Sequence, residues 1–381
     1  MRSSTGAHFI ALDHVRAFAA FLVLVWHFCH GPVGYPASQG YPIPYSYSPS
    51  FFPFSILDEG HTGVALFMVL SGYLFAKLLS GKSINYRAFI WNRVLRLLPL
   101  LAVIILIYGV VGVWRGGSLL QYSYYTALGL IFPYLPGGGW SITVEFHYYL
   151  LLPLFLWLLS KSKWWPFSYI IASIALRAFL YHRFGTVEYL AYWTIVGRID
   201  QFALGMLVYQ FRSHFAKKHF IAAATFVAFT LFYWYFDLRG GFYRNSSFPS
   251  TNPIWIYLPT IEGAAYAIMI AWYDNSFAPA VTGFSKFVGR MGEYSYSIYL
   301  LHSLFIFRAA AFVDAHIMRL SNFYIACVWS LLFYLLMYVP GYLSYRFIES
   351  PFLKLRKRYI KQAQEIPAIP VGNPEPARVE A

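Results

Sequence analysis

Charge is scarce in this chain. Asp, Glu, Lys and Arg make up only 12% of 381 residues, and acidic side chains number just 15. A water-soluble domain carries about 25% charged residues, so this chain cannot dress a solvent-facing surface in the usual way. Cysteine is scarcer still. Cys29 and Cys327 exclude a disulfide framework and a cysteine-based metal cluster, and each reads as a small apolar packing residue. The first apolar run carries Asp13 and Arg16 and lacks a small-residue cleavage site, so it reads as a retained span and not as a signal peptide. No repeat at solenoid periods and no inverted duplication of the transporter kind is visible.

What fills the space is apolar. The chain is 59% hydrophobic and 21% aromatic, with a mean hydropathy of +0.52, and Tyr, Phe and Trp crowd the places where apolar runs meet loops, as interface residues do. The net charge of +14 raises the question of a polyanion partner. The Lys and Arg sit in short clusters beside apolar runs, which points to topology and not to nucleic acid, though some of them can also meet a phosphorylated cosubstrate.

Segments long enough to cross ~30 Å of hydrocarbon fall near 9–29, 62–80, 93–114, 140–159, 165–182, 191–211, 219–237, 254–272, 294–313 and 321–345. The expectation is an all-α integral membrane protein, a bundle of about ten transmembrane helices. A shorter apolar piece, 122–136, ends in Pro133, Pro136 and Gly137 to Gly139 and reads as a re-entrant or interfacial segment. With ten spans and both termini cytoplasmic, Lys77, Lys82, Arg87, Arg93, Arg96, Lys161, Lys163, Arg212, Lys217, Lys218, Lys286, Arg290 and the basic tail from Arg346 lie inside, as the positive-inside rule requires. The outer loop 31–59 is rich in Pro, Tyr and Ser and suits an ordered cap or a lid. The transmembrane domain is expected over 1–360, and 361–381 reads as a disordered cytoplasmic tail.

Polar residues within the apolar runs are functional candidates by default. His27 lies eleven residues beyond Arg16. At about 100° per residue those steps close three turns, so both side chains share a face, with Asp13 at the same mouth. A histidine there can act as a base, a transient acyl acceptor or a proton relay. Ser71 and Gly72 bring a hydroxyl and a close-packing residue into the second span, and His61 stands at its outer mouth. Arg93 and Arg96, three residues apart, form a paired cationic fork suited to phosphate, and Arg87 with Lys82 thickens the patch. After the triple glycine comes Trp140, then Glu145, which faces Ser141 and Tyr149 at four-residue spacing and can orient a base or bind a sugar hydroxyl near the outer surface. Arg198 and Asp200 point to different faces of the sixth span and should pair with other helices, while Glu262 is a further buried carboxylate.

Taken in order, Leu12 to Arg16 with His27, Gly63 to Gly72, Arg93 to Arg96, Trp140 to Glu145, Gly197 to Asp200, Ser295 to His302 and Tyr345 to Pro351 resemble the membrane-bound acyltransferase 3 family. The resemblance runs from residue 9 to about 355. It implies a bacterial inner-membrane, multi-pass O-acyltransferase that takes an acyl group, acetyl by default, from cytoplasmic acyl-CoA and gives it to a hydroxyl of a glycan, a lipid-linked sugar or a small product. By the same resemblance His27 matches the essential histidine, Arg16 the first-span arginine, Arg93 and Arg96 the two-arginine motif and Glu145 the span-start glutamate. Acyl-CoA is then a cosubstrate, held by Arg93, Arg96, Ser71 and Arg87. No permanently bound cofactor or metal is needed, because a thioester is already activated. Asp13, His61, Trp140, Arg198 and Asp200 are the expected acceptor-side contacts, and a homo-oligomer is compatible with the pattern. Phe67 and Met68 stand where two phenylalanines are commoner in the family, Ala65 replaces a frequent acidic residue and His14 a common glycine. The rival reading is a transporter or flippase, since buried ionisable residues also mark translocation paths. A sensor with loop 31–59 as receptor is a third reading, and it tolerates loss of His27.

Overall fold

The computed structural model describes residues 9–30, 49–242 and 249–360. Most of the expected lid, and the expected tail 361–381, lie outside the described residues. Among those described, the chain is helical with no strand; a single antiparallel bridge pairs Ile84 with Ile360. The helices used below are α1 (Ile10–His30), α2 (Gly63–Leu79), α3 (Tyr86–Trp114), α4 (Leu119–Leu128), α5 (Trp140–Lys161), α6 (Trp165–Phe184), α7 (Ile195–Gln210), α8 (His219–Leu238), α9 (Leu258–Ser276), α10 (Gly283–Glu293), α11 (Ser295–His316) and α12 (Phe323–Leu336). In an apolar solvent each backbone polar group must be satisfied within its own segment, which is why the long apolar runs emerge as helices. Side-chain caps set several starts. Asn85 accepts from the amide of Ala88 at α3, and Asn322 from the amides of Tyr324 and Ile325 at α12.

Among the described residues, seven helical stretches are long and apolar enough to cross a membrane: Ile10–His30, Gly60–Leu79, Tyr86–Trp114, Trp140–Lys161, His219–Leu238, Ser295–His316 and Phe323–Leu353. The other three expected spans coincide with α6, α7 and α9, which do not qualify on length and composition. α7 has 16 residues, about 24 Å at 1.5 Å per residue, short of the hydrocarbon core. α6 and α9 are long enough, and their polar content keeps them out of that set: Arg177 and Arg183 in one, Glu262 and Asp274 in the other. The apolar piece 122–136 becomes the second half of α4 followed by turns. α4 has 10 residues and reaches about 15 Å, half a crossing.

α1 sits in the middle, packed on α2, α10, α11 and α12, while α7 packs on α2, α6 and α9. Burial in lipid supplies little drive for helices to associate, so the fit rests on close van der Waals packing and polar bonds between helices. The α2–α7 contact shows it. A Cβ on Gly72 would meet the Phe202 carbonyl oxygen at 2.1 Å, and one on Gly205 would meet that of Val69 at 2.1 Å. The two backbones touch through a pair of glycines, one on each helix. This seam joins the two polar regions of the molecule.

Candidate functional site

His27 lies in the C-terminal half of α1, with Trp26 edge-on to its ring. Its Nδ1 is 2.9 Å from the carbonyl oxygen of Val23, one turn back. Across the bundle stands His302 of α11, 2% exposed, whose Nε2 is 3.4 Å from His27 Nδ1 and whose own Nδ1 is 2.5 Å from the Tyr299 carbonyl. The two rings are 4.9 Å apart and meet edge to face.

One turn along α11 from His302, Tyr299 forms part of the wall of a cavity of about 180 Å³. Phe9 just before α1 and Asp13 and Arg16 within it line one part, α2 contributes Val64, Phe67, Met68 and Ser71, and α5 contributes Ser141, Ile142, Glu145 and Tyr149. The Tyr299 ring is 6.1 Å from Phe67 and 5.9 Å from His302. Its hydroxyl accepts from Ser141 Oγ at 2.8 Å and donates to the Gly138 carbonyl at 3.1 Å, so Tyr299 is pinned between the cavity and the histidine pair. Glu145 Oε1 accepts from the Tyr149 hydroxyl and from Ser71 Oγ at 3.3 Å. The four-residue spacing to Tyr149 works as the helix period demands, whereas Ser141 turns to Tyr299 instead.

Arginines gather on the same cavity. Arg96 pairs with Glu349 at 2.6 Å and lies over the Tyr296 ring at 5.2 Å. Arg93 is surrounded by the rings of Phe89, Phe75 and Tyr149 at 5.3, 5.4 and 5.8 Å. Arg356, beyond the last long helix, completes the group, and burial, followed by the charges of Arg96 and Arg93, pushes its guanidinium down to about 10. It stays protonated at neutral pH. Glu349, the partner of Arg96, also accepts from Ser297. Arg16 forms an ion pair with Asp13 on the cavity wall.

The cavity thus brings together Asp13, Arg16, Ser71, Arg93, Arg96 and Glu145 of the expected residues. Glu145 shares this chamber with Arg93 and Arg96. His27 stands behind Tyr299, outside the lining. Arg87 is exposed on the first turn of α3, away from the lining. His61 is buried among Trp26, Phe242 and Tyr192, with Nε2 3.1 Å from Glu59. Trp140 packs on Trp193 and Tyr192. Arg198 lies 4.4 Å over the Tyr192 ring and donates to the Tyr192 carbonyl at 2.5 Å and Gln201 at 3.1 Å. Asp200 accepts from Arg177 at 2.7 Å and Thr260 at 2.5 Å. Arg198 and Asp200 do bind other partners than each other, and neither lines the cavity, although Arg198 reaches Met68 of its wall at 4.0 Å.

Sequence reasoning gave no role to His302, Glu349, Arg356 or Tyr299. His302 and Glu349 lie inside two of the recognised blocks, and the signal was there in a histidine one turn from a tyrosine on an apolar run. Arg356 was absorbed into the basic tail. A buried trio, Asp58, Glu59 and Asp237, also emerges, with carboxylate oxygens within 4.8 Å of one another, and His30 reaches Asp58 at 3.1 Å.

A cavity lined by arginines and carboxylates, with a histidine pair behind the Tyr299 of its wall, suits transfer of a group carried by an anionic donor. No curated protein and no solved structure matches the chain. Residues 9–339, nearly the whole chain, match the acyltransferase 3 family model, described as an acyltransferase domain, and the chain belongs to that family of membrane acyltransferases.

Proposed function

We propose that the protein is an O-acyltransferase that moves an acyl group, acetyl by default, from cytoplasmic acyl-CoA to a hydroxyl of a glycan, lipid-linked sugar or similar acceptor. The observation that carries this reading is the cavity joining Arg93, Arg96 and Arg356 to the wall formed by Tyr299, one turn from His302 and its partner His27. In this reading the three guanidiniums take the donor's phosphates, as planar forks do. The pantetheine arm follows the apolar lining of Phe67, Met68 and Leu74. Arg16 polarises the thioester carbonyl, and Glu145, already bonded to Ser71 and Tyr149, orients the acceptor. Tyr299 and Phe67 separate donor from base and must shift for the two to meet. His27 removes the acceptor's proton, which a well-tuned base makes worth ~10²–10⁴-fold; holding both substrates together adds more. Ten crossings of a bacterial inner membrane, with both termini cytoplasmic, put the arginine end on the CoA side.

The test is consumption of radiolabelled acetyl-CoA by the purified protein in detergent, wild type against His27→Ala. Turnover in the wild type that disappears in a folded His27→Ala supports the reading. Normal turnover in the mutant sinks the assignment of His27. Movement of a polar substrate across vesicles without any acyl-CoA favours the transporter instead.

A further inference from the structure

The proton positions on the two facing imidazoles can be worked out from their acceptors, and they give His302 a task. A backbone carbonyl only accepts, so His302 Nδ1, 2.5 Å from the Tyr299 oxygen, carries a hydrogen. In a neutral ring the lone pair is then on Nε2, the atom that faces His27 Nδ1 at 3.4 Å. His27 Nδ1 also faces the Val23 carbonyl at 2.9 Å. It therefore carries a hydrogen shared between that oxygen and His302 Nε2. This is the arrangement of two neutral rings in which each of these contacts pairs a donor with an acceptor, and it puts the His27 lone pair on Nε2.

We propose that His302 is a positioning residue for acyl transfer: by accepting from His27 Nδ1–H it holds His27 in the tautomer whose Nε2 takes the acceptor's proton. This rests on the reading of His27 as the base. The hydroxyl proton passes to Nε2 while the oxygen forms a bond to the thioester carbonyl carbon. The tetrahedral intermediate then expels sulfur, the C–S electron pair staying with sulfur, and the proton on Nε2 passes to the thiolate. Both rings end as they began. Between those events His27 is an imidazolium, and its Nδ1–H bond to His302 Nε2 becomes charge-assisted, so it strengthens when the transition state needs it. A group that only filled space at this 2% exposed position could be replaced by any side chain of similar size.

Glutamine can mimic this polarity, with its oxygen toward His27 and its amide toward the Tyr299 carbonyl, whereas leucine fills the volume without either. In the full-length protein, with acetyl-CoA as donor and glycerol as the hydroxyl probe, His302→Leu should lower kcat roughly 100-fold with the KM for acetyl-CoA within about twofold, and His302→Gln should recover at least about tenfold. A His302→Leu protein at wild-type kcat, or a His302→Gln no better than it, overturns the proposal. Should either variant fail to fold, nitrogen NMR of ¹⁵N-histidine-labelled wild type decides, with the His27 signals identified by their loss in His27→Ala. Protonation of His27 at Nδ1 supports the proposal and protonation at Nε2 overturns it. A His27→Ala enzyme as fast as wild type, or a wild type that releases no CoA, is a different result, since it overturns the base reading beneath the proposal.

Discussion

Two regions of this protein bury arginines, and they bury them differently. Around α6, α7 and α9, Arg177 is fully enclosed and donates to the carbonyls of Ile256 and Gly197, to Asp200 and to Thr260, at 2.5 to 2.8 Å. Beside it Gln201 bridges to Glu262 at 3.0 Å, and Glu262 accepts from Tyr233 at 2.6 Å. Around the cavity, Arg93 is packed between aromatic faces, Arg96 pairs with Glu349, and Arg93, Arg96 and Arg356 all line the void. In the first region the Arg177 guanidinium is engaged by its own scaffold, Asp200 among its acceptors. In the second, aromatic faces hold Arg93 beside the void. Buried charge alone does not mark a site; charge on the wall of a void does.

Arg177→Met gives the largest expected effect. It strands Asp200 as a buried charge that has lost its cation, which costs about 3–5 kcal/mol. Thermal unfolding in detergent should show a much less stable protein, and any activity should vanish with the fold. A stable Arg177→Met with altered substrate affinity would move the scaffold region into the site and erase the comparison. Next is the seam between the regions. Gly72→Ala forces a Cβ against the Phe202 backbone and should cost about 1–3 kcal/mol. Because Ser71 is the next residue, the same change should also raise the KM for acetyl-CoA. A Gly72→Ala protein with wild-type stability would show that the two helices do not meet as closely as described.

Much of the cavity region was legible in sequence because a helix has a fixed period. Arg93 and Arg96 share a face, Glu145 meets Tyr149, and Asp13 and Arg16 share a mouth, all from spacings of three or four. Periodicity says which way a side chain points and not what stands opposite. His302 is 275 positions from His27, and nothing local in either helix announces the pair. Asp200 and Arg198 carried the same sequence signal as the cavity arginines, a charge in an apolar run; only Arg177, on a different helix, reveals that Asp200 is already matched. The crossing count failed to emerge for a related reason. α6, α7 and α9 are diluted by the polar side chains that bind them together, so their composition does not distinguish a helix buried in protein from one facing lipid.

Arg356→Ala sharpens the cationic half of the comparison. It lies outside the family match and in the cavity wall, and it donates to a donor phosphate in the proposed reading. Its loss should raise the KM for acetyl-CoA about tenfold at nearly unchanged kcat, the pattern of binding shared by ground and transition states. S-acetylpantetheine, a thioester donor that lacks the nucleotide and its phosphates, should be indifferent to the change. Equal losses with both donors would mean that Arg356 supports the fold and not the phosphates.

The smallest effect concerns a carboxylate of neither site. Glu188, at the start of the short helix Glu188–Trp193, accepts from the Ser250 amide, and burial pushes its carboxyl up to about 7. An acid raised on folding binds more protons native than unfolded, so stability falls as pH rises from the ordinary carboxylate range through 7 and levels off above it. Glu188→Gln keeps an acceptor for Ser250 and removes the charge. It should leave the unfolding temperature unchanged at pH 5 and raise it by about 2 °C at pH 8. Equal shifts at both pH values would place the gain in packing, and a lower temperature at pH 8 would mean that the ionised carboxylate has a cationic partner. In that case Glu188 would be held as Asp200 is, by a matched charge within the scaffold, and the scaffold region would extend to the end of the bundle.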